Sequence, residues 1–460
     1  MTPPPTRSAG SGPGEWPALS VAVIGAGVSG EAAARTLAEL GSDVVVLDSA
    51  DGERQQAAAE RLAALGVRTR LGGLPEGLPC GADLVVTSPG VRPDTRLLAG
   101  SDVPIWGEVE LAWRLRPAGQ RWLGVTGTNG KTTTTQLLGS VLQAAGVRAT
   151  TAGNIGTPVL DAVRAIEPYD VLAVELSSFQ LHYTSSLELH AAAVLNVADD
   201  HLDWHGSREA YAADKARIWN GPGVAVANRD DAATLSLAAR ARGNRFVTFG
   251  LGDVVDGWLT DFAFGGGPML PRDDLALPGE HNVSNALAAA LLARAAGIPV
   301  QAIRAGLAGL APGSHRNALV AETGGVSFVD DSKATNPHAA AASLGAYPSV
   351  VWVAGGLNKG LAFDELVARA APRLRAAVLI GTCAGEIAGA LARHAPDVPV
   401  EQAASMDDAV LRAARVAQPG DTVLLAPAAA SMDMFRDYAA RGDAFAAAAR
   451  RLPEGHVMRQ

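Results

Sequence analysis

The amino-acid sequence predicts an α/β protein of three domains, each with a mainly parallel sheet flanked by helices. One indication is length, because 460 residues correspond to about three domains of ordinary size. The other is pattern: short apolar runs alternate with Ala-rich amphipathic segments, which is typical of successive βα units. Breaks near "RLRPAGQR" and "GLAPGSHRN" place the predicted domains at 18–117, 118–312 and 313–460.

Composition indicates a soluble cytoplasmic protein and excludes several classes. The formal charge is −9 and no long Lys/Arg block occurs, so a nucleic-acid partner is not expected. The two cysteines, Cys80 and Cys383, are too few for a disulfide framework or a zinc site. No apolar run reaches the ~18–20 residues of a membrane span, so membrane insertion is not expected. Residues 1–17, rich in Pro, Gly and Ser, are predicted to form a disordered leader rather than a signal peptide, and we expect a monomer.

The first predicted domain opens with a Gly-rich turn between a strand and a helix. The strand "LSVAVIGAG" precedes the helix "GEAAARTLAELG", which Gly41 ends, and the strand "DVVVLD". The turn "GAGVSG", Gly25 to Gly30, is a complete G-x-G-x-x-G, and Asp48 ends the second strand. In this context the pattern is the fingerprint of dinucleotide-binding, Rossmann-like domains. It supports a nicotinamide oxidoreductase as one hypothesis, although the same turn can hold the diphosphate of another nucleotide.

The second predicted domain begins with a variant phosphate-binding loop, "LGVTGTNGKTTTT", residues 123–135. The usual pattern is G-x-x-x-x-G-K-[ST], and here Val125 replaces its first glycine. The order of strand, turn and helix start is kept, with Gly127 and Gly130 in the turn. Lys131 can reach the β- and γ-phosphates, and Thr132 can bind Mg²⁺. We therefore predict a domain of the phosphate-loop ATPase type, the alternative being an ordinary Gly-containing βα loop with a surface lysine.

Acidic residues after this loop suggest a metal site. Glu175 ends the strand "VLAVE", where a carboxylate beside a phosphate loop can bind Mg²⁺, although it has the alternative of a surface charge. A cluster follows within seven residues: Asp199, Asp200, His201, Asp203 and His205. Such oxygen and imidazole groups can hold a divalent cation, or can simply lie in a solvated loop. Lys215 lies on the next helix, and its helical periodicity alone favours a solvated face.

The third predicted domain repeats the strand–helix pattern and is expected to be Rossmann-like. Its strands are "GVSFVDD", "SVVWVAGG", "AAVLIG" and "DTVLLAPA". Thr335, Lys359 and Ser431 each follow one of these strands, and open α/β sheets place ligands at the C-terminal ends of their strands. We therefore expect these three side chains to converge, although Lys359 and Ser431 taken singly have the alternative of ordinary loop residues.

Several motifs together resemble those of the Mur ligases, from about Leu19 to the C-terminus. One group is shared across that family and with folylpolyglutamate synthases: "TGTNGKT", "GEHNVSNALAA", "SHR" and "DDSKATNP". A second group is similar to the D-glutamate-adding subclass: "GNIG", "ELSSFQL", "DDHLDWHG" and "AASMDMFRDYAARGDAF".

The resemblance implies a set of ligand-binding residues. The UDP-linked substrate would contact Val28, Ser29, Asp48, Gly72, Asn154, Ser177 and Gln180. ATP would contact Thr128, Asn129, Gly130, Lys131, Thr132, Thr133, Thr134, Asn282, Asn285, His315, Arg316 and Asp331. The amino acid, and the cleft that receives it, would involve Lys333, Thr335, Lys359, Ser431, Met432 and Tyr438. Two Mg²⁺ ions would be bound by Thr132, Glu175, His201 and Lys215, with Lys215 present as N6-carboxylysine. The catalytic set would be Lys131, Glu175, His201 and Lys215.

The resemblance also implies an activity. The enzyme would add D-glutamate to UDP-N-acetylmuramoyl-L-alanine through an acyl phosphate formed from ATP, in cytoplasmic peptidoglycan precursor synthesis. One phosphate cradle in each of the first two domains favours an enzyme that binds two nucleotides. The alternatives are another Mur-type or folylpolyglutamate-type ligase, an NAD-dependent oxidoreductase, and a non-catalytic nucleotide-binding scaffold.

Overall fold

The computed structural model describes residues 16–99, 101–221, 223–239, 245–310, 313–358 and 360–452. They form two compact units: the first holds the chain up to residue 253, the second holds it from residue 307, and the segment 254–306 is divided between them. Of the predicted leader, only Trp16 and Pro17 are described; they lie in the turn Trp16–Ala18, with Trp16 buried. Over the described residues, no helix is both long and apolar enough to cross a bilayer.

The first sheet has five parallel strands in the order β3-β2-β1-β4-β5. The Gly-rich turn follows the central strand β1, from which the chain builds one side of the sheet and then the other. Helix α1 buries Ala33 and Leu37 in the same core as Val21 and Val23 of β1. The elements are β1 (Ser20–Ile24), α1 (Val28–Glu39), β2 (Asp43–Leu47), α2 (Glu53–Ala63), β3 (Arg68–Arg70), β4 (Leu84–Thr87), β5 (Ile105–Gly107) and α3 (Glu108–Leu115).

The second sheet has six parallel strands in the order β11-β10-β9-β6-β8-β7. Strand β6 leads into the phosphate loop and lies between β9 and β8, so that the loop is flanked by the ends of both neighbours. The elements are β6 (Arg121–Thr126), α4 (Lys131–Ala144), β7 (Ala149–Gly153), α5 (Val159–Val163), β8 (Val171–Glu175), α6 (Ser178–His182), β9 (Ala191–Val194), α7 (Leu202–His205), α8 (Arg208–Ala216), β10 (Val224–Asn228), α9 (Ala232–Ala238) and β11 (Arg245–Phe249).

A third large sheet has six strands in the order β15-β16-β20-β17-β18-β19 and is parallel except at the edge strand β15. The elements of this region are β15 (Ala318–Thr323), β16 (Val326–Asp330), α12 (Pro337–Leu344), β17 (Val350–Gly355), α13 (Asp364–Ala370), β18 (Leu374–Ile380), α14 (Ala384–His394), β19 (Val400–Gln402), α15 (Met406–Val416), β20 (Thr422–Leu425) and α16 (Tyr438–Arg450). The prediction of three mainly parallel sheets flanked by helices is therefore confirmed.

Two antiparallel features go beyond that prediction. A small sheet has the order β12-β13-β14, with β12 and β13 antiparallel, and strand β15 pairs antiparallel with β16. Gly324 and Gly325, both with positive φ, form the tight turn between β15 and β16. The elements between the second and third large sheets are β12 (Val254–Val255), β13 (Trp258–Thr260), β14 (Pro268–Pro271), α10 (Glu280–Ala295) and α11 (Val300–Gly309).

Candidate active site

The phosphate loop leads from the end of β6 to an open helix start. Gly130, at the N-cap of α4, has φ +84°, a left-handed conformation that suits glycine. No side chain of the described chain caps this helix, so its first N–H groups point into the loop. A helix start of this kind favours an anion through its N–H groups and its dipole. Thr132, Thr133 and Thr134 lie in the first turn, as expected of a phosphate site.

The loop is held in shape by the segment that follows β9. The backbone N–H of Thr128 donates to the Asn196 carbonyl at 3.0 Å. The Asn196 amide exchanges two hydrogen bonds with the Asn129 backbone, at 2.9 and 3.1 Å. The Thr128 hydroxyl also contacts the Tyr211 hydroxyl at 3.0 Å. Sequence reasoning missed Asn196 and Tyr211, although Tyr211 precedes Lys215 by one helical turn and so shares its face.

Two lysines meet at one carbonyl of the loop. Lys131 Nζ donates to the Gly127 oxygen at 2.8 Å and to the Thr128 oxygen at 3.0 Å. Lys215 Nζ donates to the same Gly127 oxygen at 2.9 Å and lies 4.4 Å from the centre of the Tyr211 ring. The solvated helix face that periodicity favoured for Lys215 is therefore wrong, because the residue is only 1% exposed.

Burial changes the chemistry of Lys215. Desolvation lowers the pKa of its amine well below the ordinary value, and the positive charge of Lys131 lowers it further. A neutral amine is the form that reacts with CO₂, so the site suits the carbamate that the resemblance implies.

Glu175 lies beside the loop with half of its carboxylate unpartnered. Its position in β8 pairs with Val125 of β6, directly before the loop. The residue is 1% exposed; Oε1 accepts from Asn154 Nδ2 at 2.8 Å, while Oε2 is buried without a hydrogen-bond partner among the described residues. A buried unsatisfied oxygen is costly, and a divalent cation is the partner that such a carboxylate suits.

His201 begins the short helix α7 in a left-handed conformation, φ 53°. Partial burial lowers the pKa of its imidazole; the nearby carboxylate of Asp200 opposes this effect, while Lys131 and Lys215 add to it. The charges of both loop lysines therefore act on this imidazole.

The acidic and histidine cluster after β9 does not act as one ligand set. His205 turns away from the loop and contacts Asp214 and Ser178, and Asp199 pairs with Arg208 at 3.3 Å. Within the part of the chain that the structure describes, no three His, Cys, Asp or Glu side chains group as a metal site. Of the cluster, His201 and Asp200 are the residues that interact electrostatically with Lys215.

Ser177 and Gln180 form the N-terminal cap of α6. The Gln180 backbone N–H donates to Ser177 Oγ at 3.2 Å, and the Ser177 backbone N–H donates to Gln180 Oε1 at 2.9 Å. This reciprocal pair is a capping box. The two predicted substrate contacts therefore fix the segment that directly follows Glu175.

The Gly-rich turn of the first sheet also precedes an uncapped helix. Gly25 has φ +95°, and a Cβ on Gly30 would lie 1.8 Å from the Gly25 oxygen, so the close approach of helix and turn requires glycine. Asp48 Oδ2 accepts from the Ala26 N–H at 2.6 Å. Val28 is 55% exposed at the start of α1. Ser29 follows it in the first turn, and Gly72, with φ +80°, donates to the Ala50 carbonyl beyond β2.

In the second unit, the predicted nucleotide residues have hydrogen-bond partners within the protein. His315 Nδ1 contacts Asp330 Oδ2 at 2.6 Å, and the Asn285 amide donates to Asn282 Oδ1 at 3.2 Å. Asp331 is buried, which raises its pKa to about 6, although a hydrogen bond from Ser343 and the charge of Arg316 oppose the rise.

Four of the predicted amino-acid residues, Lys333, Thr335, Ser431 and Met432, lie on two loops that are joined. The Ala428 N–H donates to the Ala334 carbonyl at 2.9 Å, which brings the loop carrying Lys333 and Thr335, after β16, to the loop after β20 that leads to Ser431. Lys333 Nζ lies 3.9 Å from the centre of the Tyr438 ring.

The other residues on or near these two loops differ in their exposure. Ser431 is buried and Met432 is 63% exposed. Arg441, which sequence reasoning missed, is 1% exposed and donates to the carbonyls of Ser332 and Ala429 at 3.0 and 3.1 Å. Lys359 lies outside the described residues.

Comparison with known proteins identifies the family. Residues 19–102 match the N-terminal domain of MurD-like Mur ligases, residues 125–293 the Mur ligase middle domain, and residues 315–429 the glutamate ligase domain of Mur ligases. These ranges fall within the three predicted domains, whose exact boundaries remain a prediction.

Relatives and solved structures agree with this assignment. A Frankia casuarinae protein named UDP-N-acetylmuramoylalanine--D-glutamate ligase is 64% identical over 448 residues, covering 95% of this chain and 94% of its own. A Streptomyces avermitilis protein of the same name is 54% identical over 465 residues, covering 95% and 99%. The structure of MurF from Acinetobacter baumannii has a TM-score of 0.58 at 18% identity, covering 89% of this chain and 91% of that one, and so shares the fold. The chain therefore belongs to the Mur ligase family, as its motifs predicted, on the branch whose curated members are named UDP-N-acetylmuramoylalanine--D-glutamate ligases.

Proposed function

We propose that this protein is an ATP-dependent ligase that joins D-glutamate to UDP-N-acetylmuramoyl-L-alanine in peptidoglycan precursor synthesis. The observation that carries the proposal is the arrangement around Gly127. Lys131 and the buried Lys215 meet at its carbonyl, an uncapped helix begins at Lys131, and the half-partnered Glu175 lies on the adjacent strand. A nicotinamide oxidoreductase does not need to consume a nucleoside triphosphate, and a non-catalytic nucleotide-binding scaffold needs no second metal site.

The reaction needs ATP because a carboxylate does not lose oxide to an attacking amine. A carboxylate oxygen of the UDP-linked substrate attacks the γ-phosphorus of ATP; an O–P bond forms, the bond to the β-bridging oxygen breaks, and ADP leaves. The amine of D-glutamate then attacks the acyl carbon. A C–N bond forms, the C–O bond to phosphate breaks, inorganic phosphate leaves, and the nitrogen gives up its proton.

Charge is the main obstacle to the first step, since the attacking carboxylate and the γ-phosphate are both anions. Lys131 is placed to counter this repulsion, because its ammonium already spans the loop over the Gly127 and Thr128 carbonyls. Helix α4 adds the positive end of its dipole and the N–H groups of its first turn. Together they hold the phosphates while the substrate carboxylate is aligned.

The proposed metal ligands are Thr132, Glu175, His201 and Lys215. The orphaned Oε2 of Glu175 and the desolvated amine of Lys215 fit it. Lys215 would add CO₂ through its neutral nitrogen, releasing one proton, and so supply an anionic oxygen ligand. A Mg²⁺ ion held by these residues would neutralise phosphate charge.

The remaining contacts are proposed from the same resemblance. The turn with Val28, Ser29, Asp48 and Gly72 would hold the uridine diphosphate, helped by the uncapped start of α1. Asn154 lies beside Glu175 and would contact the sugar-linked part of the same substrate, together with Ser177 and Gln180. In the second unit, ATP would meet Asn282, Asn285, His315, Arg316 and Asp331.

D-glutamate carries two carboxylates and one amine, so its site needs cationic and hydroxyl donors that leave the amine exposed. Lys333, Thr335, Lys359, Ser431, Met432 and Tyr438 are proposed for it. The hydrogen bond that joins the two loops after β16 and β20 supports this grouping for the residues that are described.

The test is ATP-dependent phosphate release with UDP-N-acetylmuramoyl-L-alanine and a panel of amino acids. We expect release with D-glutamate and little with L-glutamate, D-alanine or meso-diaminopimelate. Preference for another amino acid would overturn the proposed subclass but leave a Mur-type ligase. Absence of release with every amino acid, together with a rise in melting temperature on adding NAD(H), would overturn the ligase. Light scattering after gel filtration tests the proposed monomer.

A further inference from the structure

A buried hydrogen-bond chain lies behind the proposed metal site. Ser178 Oγ contacts His205 Nε2 at 3.0 Å, and His205 Nδ1 contacts Asp214 Oδ2 at 2.9 Å. Ser178 is 2% exposed, the His205 side chain 0% and Asp214 6%. We call these three residues the Ser178–His205–Asp214 chain.

The carboxylate of Asp214 is the centre of a larger network. Its Oδ2 also contacts His182 Nδ1 at 2.9 Å, and its Oδ1 lies 3.1 Å from Arg217 Nε. Two histidines and an arginine therefore surround this one carboxylate. A carboxylate only accepts hydrogen bonds, so with this partner both histidines donate from Nδ1 and His205 accepts the Ser178 hydroxyl at Nε2.

The order Ser–His–Asp also occurs in nucleophilic hydrolases, but this chain is not placed for that chemistry. The Ser178 hydroxyl is buried, and His205 packs parallel to Phe179, with ring centres 5.4 Å apart and planes at 7°. Trp204 packs against both rings, its ring centre 4.5 Å from that of His205 and 4.8 Å from that of Phe179. A substrate has no access to the serine, so the network holds structure.

What it holds is the set of segments that carry the proposed metal ligands. Ser178 follows Glu175 by three residues, His205 follows His201 by four, and Asp214 directly precedes Lys215. Each member of the chain thus sits on α6, α7 or α8, next to one proposed ligand. Because each of these three residues is covalently linked to a proposed metal ligand within four residues, a displacement of one of them would also displace that ligand.

We propose that the Ser178–His205–Asp214 chain fixes the relative positions of Glu175, His201 and Lys215, with Asp214 as the central positioning residue. The inference rests on the proposed function, because it takes these three residues as metal ligands. Partners behind a metal-binding shell typically change metal affinity by about 10–100-fold when they are removed. The chain would act on metal binding and carbamate formation rather than on substrate contact.

The experiment compares Asp214→Asn and Ser178→Ala with the control Glu110→Gln in the full-length protein. Asn offers an N–H where an oxygen now accepts, so the network around position 214 must break; Ser178→Ala removes one terminal bond and is the milder variant. Glu110 is also a fully buried carboxylate, but it accepts from Ser185 and Ser186 and joins α3 to their turn. The control therefore disturbs a buried network without breaking a bond of the chain.

Two readouts separate positioning from general loss of stability. The first is the Mg²⁺ concentration for half-maximal phosphate release, which should rise about 10–100-fold in Asp214→Asn and less in Ser178→Ala. The activity of both variants should recover substantially at high Mg²⁺. The second is the carbamate signal in ¹³C NMR after incubation with ¹³C-bicarbonate, which should weaken in Asp214→Asn. Glu110→Gln should leave both readouts unchanged even where its melting temperature falls.

An unchanged Mg²⁺ requirement and carbamate signal in both chain variants would overturn the inference, as would equal changes in Glu110→Gln at an equal melting temperature. The NMR readout needs no turnover. An inactive wild type whose carbamate signal still depends on Asp214 would therefore reject the proposed function and retain the inference.

Discussion

Glu108 is a buried acid whose charge should cost the protein stability at neutral pH. It begins α3, is 2% exposed, and accepts a hydrogen bond from the Leu160 N–H at 2.6 Å, at the start of α5. Burial raises its pKa to about 7, although the N–H groups of Leu160 and Val159 oppose the rise. Glu108→Gln keeps the shape and one accepting oxygen while removing the ionisation.

The direction and the size of the change in stability follow from the pKa values of Glu108 in the folded and unfolded states. The folded pKa of about 7 exceeds the ordinary value of 4.5, so between these pH values the folded state holds a proton that the unfolded state has lost. Stability therefore falls as pH rises through this window and levels off above about pH 7. At about 1.4 kcal/mol for each unit, the loss from this one group is on the order of 3 kcal/mol. Glu108→Gln should match the wild type near pH 4.5 and exceed it by up to this amount above pH 7.

Scanning calorimetry of both proteins from about pH 5 to about pH 8 measures the effect. For a large folding unit, 1 kcal/mol moves the melting temperature by about 2 °C, so the variant should gain roughly 6 °C relative to the wild type across the range. An equal difference at every pH would refute the reasoning. It would mean that the two N–H groups stabilise the carboxylate as fully as water does.

Glu110 provides the opposite case two residues away on the same helix. Burial would raise its pKa too, but hydrogen bonds from Ser185, Ser186 and Arg114 outweigh burial and lower it. The Glu110 carboxylate therefore stabilises the folded state above its unfolded pKa, and this stabilisation is lost as pH falls through its lower folded pKa. Glu110→Gln should lower the melting temperature at neutral pH, where Glu108→Gln raises it.

Three further variants test the proposed reaction. Lys131→Ala should reduce turnover by at least about 10²–10³-fold, since a preorganised group that stabilises developing charge is lost; an unchanged melting temperature would show that the fold is intact, and near-normal activity would contradict the role of the loop. Lys215→Ala should be inactive, but a high concentration of acetate, which supplies a small carboxylate, should restore part of its activity. Phosphate release is assayed with and without added acetate, and a folded variant that acetate does not restore would argue against a carbamate. Lys359→Ala should raise the KM for D-glutamate far more than that for ATP; steady-state kinetics with each substrate varied would contradict this if both constants rose equally.

The sequence was sufficient for the parts of the fold that depend on local pattern. Gly25, Gly30, Gly127 and Gly130 mark turns that need left-handed backbone or close approach, and their spacing between apolar runs located both Gly-rich turns. The antiparallel edge strand β15 was not predicted, because its apolar and polar residues do not show which neighbour or direction it will take. Strand pairing of that kind is decided by the assembled sheet.

Side-chain partners were harder to predict because sequence distance does not show which face a residue turns inward. Lys215 has the helical spacing of a solvated residue, yet α8 presents it to the Gly127 carbonyl. His205 lies in the same short cluster as His201, but one helical turn aims it at Asp214 instead. Ser177 and Gln180 also look like free polar groups until their capping box is seen.

The side chains of Lys131 and Lys215 share one hydrogen-bond acceptor, the carbonyl of Gly127. As described, it accepts from Lys131 at 2.8 Å and from Lys215 at 2.9 Å. A carbamate on Lys215 keeps a single N–H on Nζ for this carbonyl, and its two oxygens carry a negative charge and only accept hydrogen bonds. Lys131 can follow bound phosphate, because it has a second accepting partner in Thr128 and a flexible stem. Carbamate formation would therefore place a negative charge near the Lys131 ammonium and favour its positive charge at the loop where the proposed phosphates bind.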